Sequence, residues 1–350
     1  MDPSDKVRVY QGPAGESFEV DRQLRSTVDL DALRASLGLP PYIDLTRPAL
    51  RRALVALWAS SSAPSTFASF PERKKLDSPI SPLLMGGGAV KFLSPSANVG
   101  GGPLNRKIHD LDFILPRNQA GKFVQLLCLL GAVAGTQFTH FLTSSDKRFN
   151  ALRAGERYRV RGLDWSETEP TVASVVDVFV EKIEMRHTLS VHDEFARAKA
   201  NLYTIGLEKV ILTKCQLISD FDARAVTPSD GVDVRVLHWP HYRKDKIIVG
   251  MEEKDMSDVC ALFLDSDGGS RLNIEGLRRE LNDQKFLLTV RLNLENLLSR
   301  EDWMKSRGLS GAQISHVMET CSGLLKALPE VRKEWSKPWW NVDVETPVVG

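Results

Sequence analysis

His109-Asp-Leu-Asp-Phe-Ile-Leu115 is the stretch on which the fold turns. Aspartate is disfavoured in strands, yet two stand here two residues apart in a run that is otherwise apolar. Strand side chains alternate between faces, so Asp110 and Asp112 point the same way. A second strand-like run, Ser174-Val-Val-Asp-Val-Phe-Val180, carries Asp177. Upstream, Pro82-Leu-Leu-Met-Gly-Gly-Gly-Ala-Val90 reads as a short apolar strand breaking into a glycine turn. A carboxylate among Val, Ile, Leu and Phe is costly to desolvate unless something pairs with it. Two Mg²⁺ (or Mn²⁺) ions would provide that pairing, and transfer of a phosphoryl or nucleotidyl group needs such ions. The order of these elements suits a metal-dependent phosphoryl-transfer site.

Composition sets the frame. A chain of 350 residues suggests two or three domains. With 42% hydrophobic and 26% charged residues, an ordinary water-soluble globular protein is expected. No apolar run approaches membrane-spanning length, and the first residues lack a basic start followed by an apolar core. A cytoplasmic location without a membrane partner is expected. Cys128, Cys215, Cys260 and Cys321 are widely spaced, which indicates neither zinc nor a disulfide framework. A net charge of +1 argues against a uniform nucleic-acid-binding coat but leaves room for a local patch. Lys147, Arg148, Arg153, Arg157, Arg159 and Arg161 form such a run, opposed locally by Glu156. It reads equally as a solvated hairpin turning at Ala154-Gly155, or as a basic ribbon guiding phosphates.

Along the chain, residues 1–75 read as a helical extension. Asp29–Leu37 is amphipathic, and Thr46 can cap a helix from Arg47 to Trp58 with Pro48 in its first turn. Residues 59–66 read as a linker. Residues 76–190 alternate strand and helix signals, with a helix over Gln119–Leu130, as an α/β core would. Residues 191–334 are mainly helical: Asp193 can cap a helix, and helices are expected over Leu207–Ser219, Asp255–Leu264, Asn273–Glu280, Lys285–Ser299 and Ser310–Ala327. Residues 335–350 form a tail with Trp335, Trp339 and Trp340 at its start, expected to fold back onto the body.

A glycine turn, then Asp-x-Asp, then a lone Asp on a later strand resembles the nucleotidyltransferase superfamily, whose fold includes DNA polymerase β. Within it the chain most resembles the AbiEii-type nucleotidyltransferases, the toxin partners of bacterial toxin–antitoxin systems. The resemblance is carried by Gly86-Gly-Gly-Ala-Val90, Arg106-Lys-Ile-His-Asp-Leu-Asp-Phe113, Val176-Asp-Val178, Leu207–Leu217 with Lys214, and Lys254-Asp-Met-Ser-Asp-Val-Cys-Ala-Leu262. It spans roughly residues 80–300. It implies an α+β fold with a mixed sheet, followed by a helical domain, and an enzyme that moves NMP from an NTP to a hydroxyl of RNA, such as a tRNA 3′ end, or of protein. A cognate antitoxin is an implied partner, and ATP is among the candidate nucleotides.

In that scheme Asp110, Asp112 and Asp177 hold the metals, with Asp177 nearest the attacking hydroxyl. Gly86, Gly87 and Gly88 let backbone approach a phosphate, and the following helix offers free N–H groups. Arg106, Lys107 and Lys214 are candidates for the outer phosphates. Asp255 or Asp258 orients Lys214 or the substrate. The chain departs from the pattern twice. Twenty-one residues separate Gly88 from Asp110, an insertion expected to act as a lid or substrate loop, and no Ser or Thr stands beside the glycines. Plainer roles compete: Asp177 as a strand-end partner of an arginine, Lys214 as a solvated helix lysine, Asp255 as a helix cap. The competing function is a protein that kept the fold and binds a nucleotide or partner without turnover.

Overall fold

The computed structural model describes residues 6–11, 16–21, 29–62, 65, 76–133, 138–164, 174–198, 203–216, 219–222, 234–235, 246–249 and 251–331. The tryptophan tail, His238 and His241 lie outside the described residues. In chain order the first elements are β1 (Lys6–Gln11), β2 (Glu16–Asp21), α1 (Leu30–Ser36), α2 (Pro48–Ser61), β3 (Leu83–Met85), α3 (Gly86–Leu93), β4 (Asp110–Leu115), α4 (Arg117–Val133), β5 (Phe138–Phe141), α5 (Ser144–Leu152), β6 (Arg157–Asp164) and β7 (Ser174–Val180). There follow β8 (Lys182–Glu184), β9 (Thr188–Ser190), α6 (His192–Ala198), α7 (Leu207–Lys214), β10 (Ser219–Asp222), β11 (Val234–Arg235), β12 (Lys246–Val249), α8 (Glu253–Leu264), α9 (Ile274–Glu280), α10 (Gln284–Leu298), α11 (Glu301–Ser306) and α12 (Gly311–Ala327). The fold is α+β, with a five-stranded mixed sheet and a mainly helical C-terminal part.

Two units divide the chain. The first comprises residues 1–92, 107–183 and 191–205. Its sheet runs β3-β4-β7-β6-β5. The central pair β4 and β7 is parallel, and every other pairing is antiparallel. Alternation gives the sheet two chemically different faces. Leu111, Phe113 and Leu115 of β4, with Val176, Val178 and Val180 of β7, are buried on one face. Phe113 meets Phe123 of α4 edge to face at 5.0 Å. Burying each such side chain contributes roughly 1.5–3 kcal/mol, so this face holds α4 in place. The helix α2 joins it through Leu50, Ala53, Leu54 and Leu57, all buried at helical spacing. Arg52 of α2 reaches the backbone of Gly162, where an added Cβ would lie 2.7 Å from its Nε, and it donates to Ser174. Arg51 pairs with Asp164 at 2.8 Å. Thus α2, expected in a separate extension, clusters with the sheet. Its N-cap is Arg47 without a side-chain bond, because the Thr46 hydroxyl donates to Asp44 instead.

The second unit comprises residues 93–106, 184–190 and 206–350. Its helices α8, α10 and α12 bury Val259, Phe263, Leu287, Leu294, Val317 and Leu324. Ser310 caps α12 in a reciprocal capping box with Gln313. The insertion between Gly88 and Asp110 is anchored in this unit at both ends. Asp265, just past α8, accepts from the Ser94 hydroxyl, the Ser96 amide at 2.9 Å and the Ser96 hydroxyl at 2.8 Å. Arg106 closes the other end on Asp258. Those two anchors are not what a lid needs.

Candidate active site

Glycine 86 opens the site. The chain leaves β3 at Met85, which pairs with Asp112, and enters α3 at once, with no intervening turn. This abruptness requires φ +59° at Gly86, a left-handed conformation that side chains resist. Space requires glycine as well: a Cβ here would stand 2.4 Å from Asp112 Oδ2. The backbone at the start of α3 therefore lies directly against the Asp112 carboxylate. Gly88 lies two residues on, where a Cβ would press on Leu84 and Leu111, so its smallness serves core packing.

Asp112 is half-buried and Asp110 exposed, with buried Leu111 between them on the opposite face. In the parallel pairing of β4 with β7, Asp112 and Asp177 are register partners. Partners in register project to the same face. One sheet face thus carries Asp110, Asp112 and Asp177. On the next strand Arg159 is the register partner of Asp177, with Arg157 two residues before it and Arg161 two after. An acidic row and a basic row lie side by side.

Asp177 is only 4% exposed, and the basic row engages both its oxygens. Arg159 donates from Nε to Oδ1 at 2.8 Å and from Nη2 to Oδ2 at 2.9 Å. Arg157 Nη2 donates to Oδ2 at 2.5 Å. Burial would raise the pKa of Asp177, but the two guanidiniums outweigh it and hold the carboxyl below the usual carboxylate value. Its bonds to Asp177 hold Arg159 more firmly protonated, and the charges of Asp177, Asp146 and Asp112 add to this. The guanidiniums are fixed from behind by aromatic faces. Arg157 lies 4.4 Å from the Phe179 ring centre, and Arg159 lies 4.8 Å from that of Phe149. Asn150 accepts from the Arg159 amide at 2.6 Å and donates to its carbonyl at 3.0 Å. Arg161 pairs with buried Asp146 at 3.0 Å, and Arg153 with Glu156 at 3.5 Å. Most of the basic run is therefore neutralised within this unit. Its first arm is the helix α5, capped by the Thr143–Asp146 capping box, where a hairpin strand was expected.

The donor set fits a hard divalent cation at Asp110 and Asp112, two carboxylates on one strand face beside a backbone cradle that a Cβ would fill. Asp177 does not fit the same role in this arrangement, because both its oxygens accept from arginines. Among the described residues, no three His, Cys, Asp or Glu side chains are gathered as a metal-holding group.

The remaining expected residues lie in the second unit, apart from exposed Lys107 in the first. Lys214, at the end of α7, is buried and pairs with Asp255 at 2.9 Å and Asp258 at 2.8 Å. Arg106 reaches Asp258 with two bonds, at 2.7 and 2.6 Å. Burial alone would lower the Lys214 pKa, but the Asp258 and Asp255 carboxylates raise it well above the ordinary lysine value. The same contacts, opposed by burial, hold Asp258 low. Asp255 stands in the first turn of α8 but is not its cap, which is Glu252. The sequence pointed to Asp255 or Asp258 as a partner of Lys214, which in the structure pairs with both. It gave no sign that Arg106 joins them, nor that Arg157 and Arg159 hold Asp177. The one available signal was the alternation of arginines at 157, 159 and 161, which sets them on a single strand face.

No protein-family profile matches this sequence, and no curated protein does. Among solved structures the chain matches MenT4, a nucleotidyltransferase toxin from Mycobacterium tuberculosis H37Rv, with 14% identity and a TM-score of 0.33. The match covers 86% of this chain and 91% of that one. At that TM-score no residue or role is transferred. No helix among the described residues is long and apolar enough to cross a membrane.

Proposed function

We propose that this protein is a nucleotidyltransferase that moves NMP from an NTP to a hydroxyl, releasing pyrophosphate, with RNA or protein as acceptor. The single observation that carries it is the juxtaposition on one sheet face: Asp110 and Asp112, with Asp177 in register beside them and the start of α3 against the Asp112 carboxylate. Asp110 and Asp112 would hold Mg²⁺ or Mn²⁺, which when bound neutralises charge developing on the phosphates. The amides at Gly86, Gly87 and Gly88 donate to phosphate oxygens, because the first N–H groups of a helix have no partner within it. Gly86 keeps this backbone close to Asp112, so an NTP bound there presents its phosphates to the acidic row. Arg106 and Lys214, the candidates for the outer phosphates, are held by Asp255 and Asp258, a network that also shapes the helical unit. By family resemblance the biological role is a growth-inhibiting toxin, checked by a cognate antitoxin, or a component of phage defence.

A second reading is favoured by one specific contact. The arginines on Asp177 suit a protein that binds a nucleotide without turning it over. One experiment separates the two. The protein is incubated with each α-labelled NTP, Mg²⁺ or Mn²⁺, total RNA and total protein, and the labelled fraction is identified. Transferase activity predicts covalent label that Asp112→Ala abolishes. Thermal stabilisation by NTP with no label transferred to any acceptor would leave the binding protein.

A further inference from the structure

Nucleotidyl transfer through three carboxylates is usually written with two divalent ions. The sheet face here has a different charge pattern. Asp177 lies among three guanidinium N–H donors from Arg157 and Arg159. Neither arginine is a loose surface group: their side chains are 24% and 19% exposed, against 6% for Asp177. Phe149 and Phe179 back them, and Asn150 fixes the backbone of Arg159 on both sides. Pulling them off would strand a buried carboxylate, a loss of several kcal/mol for a pair of this kind.

We propose that Arg157 and Arg159 take the place of one metal ion, so that this site works with a single divalent cation held by Asp110 and Asp112. Three carboxylates, two guanidiniums and one divalent ion carry the same net charge as three carboxylates with two divalent ions. The electrostatic demand of a triphosphate is therefore met without a second ion. Arg157 and Arg159 are then positioning residues for the phosphates and for Asp177. A planar guanidinium suits this role, since it can hold a carboxylate along one edge and present a further N–H to a phosphate oxygen. Asp177 sets the arginines, and it does not ligate metal.

The inference rests on the proposed transferase function, and its test is chosen to separate the two. Mn²⁺ binding to the full chain is measured by the electron paramagnetic resonance signal of free Mn²⁺, with and without a non-hydrolysable α,β-imido NTP. The Mn²⁺ taken up by the analogue alone is subtracted. The expected result is one protein-dependent Mn²⁺ per chain, lost in Asp112→Asn and retained in Asp177→Asn. The variant Arg157→Gln, which leaves both Arg159 bonds to Asp177, should keep the single Mn²⁺ and bind the analogue more weakly. Two Mn²⁺ per wild-type chain, or loss of Mn²⁺ in Asp177→Asn, would overturn the inference while leaving the transferase reading standing. No Mn²⁺ bound by the wild type would overturn both.

Discussion

Replacing Gly86 with alanine tests the site at its tightest point. The added Cβ raises two separate costs. Its φ of +59° is left-handed, which costs a residue with a Cβ roughly 1–2 kcal/mol. The Cβ would also stand 2.4 Å from Asp112 Oδ2 and 3.4 Å from its Cγ, so one partner must move. If the backbone yields, the strain appears as lost stability beyond the conformational cost. If the carboxylate swings aside, it appears as lost metal affinity, where about 1.4 kcal/mol is a factor of ten. Gly86→Ala should therefore lose roughly 1–2 kcal/mol in urea unfolding. Its Mn²⁺ affinity should fall by a further factor of about ten. A double-mutant cycle with Asp112→Ala isolates the clash: without the carboxylate the steric part vanishes and the left-handed part stays. Gly86→Ala with wild-type Mn²⁺ affinity and a stability loss that is the same with and without the Asp112 carboxylate would refute the clash.

Other perturbations have equally definite signs. Lys214→Met leaves Asp255 and Asp258 buried with less compensation, so it should cost about 3–5 kcal/mol in urea unfolding, far more than loss of a solvated lysine. A stability change under about 0.5 kcal/mol would make Lys214 a surface residue in solution. Burial is the main cause that lowers the His140 pKa to about 3 and that of His187 to about 4, from an ordinary 6.5. The unfolded chain therefore takes up protons first, and stability should fall as pH drops from about 6.5 towards 4, by about 1.4 kcal/mol per pH unit for each histidine. His187→Gln should remove one histidine's share of that slope in urea melts at pH 7 and pH 5. Below about pH 4 the lowered carboxyls of Asp177 and Asp258 add a further loss, since their contribution is complete above the unfolded value and drains as pH falls through the folded one. Asp265→Ala removes the anchor of Ser94 and Ser96, and amide hydrogen exchange across residues 94–98 should accelerate while that of α8 holds. Unchanged exchange there would show that the segment is held by packing alone.

Local chemistry was legible in the sequence, and the pairing of distant segments was not. Asp29, Asn273, Asp283 and Ser310 cap helices close to where their side-chain chemistry places them. Both aspartate-bearing strands follow from β-branched and aromatic runs. The register of Asp112 with Asp177 does not, since a parallel pairing leaves no mark in either strand. The segment before Gly155 misled because its few large apolar residues, Phe149 and Leu152, are three apart, a helical spacing in too short a run to stand out in the sequence. The capping box of Thr143 with Asp146 decided for the helix, while the turn at Gly155, with φ +83°, and the second arm from Arg157 are as expected. The glycine-rich insertion looked like a loop because its anchors, Asp258 and Asp265, lie far away in the chain. Lys214 resembles a solvated lysine in sequence, since burial of a charge depends on partners some forty residues away.

The way the chain is shared between its units bears on how the protein can be made. The boundaries at 92/93, 106/107, 183/184, 190/191 and 205/206 interleave the two units, so neither is a continuous stretch of polypeptide. Arg106 is synthesised 152 residues before its partner Asp258. At roughly 5–20 residues per second, that leaves about 8–30 seconds in which the nascent 93–106 segment waits without its anchor. Ribosomal pausing or a chaperone acting in that interval therefore bears on yield, and a gene fragment starting at residue 206 would encode a second unit lacking the segment that Asp258 and Asp265 are built to grip.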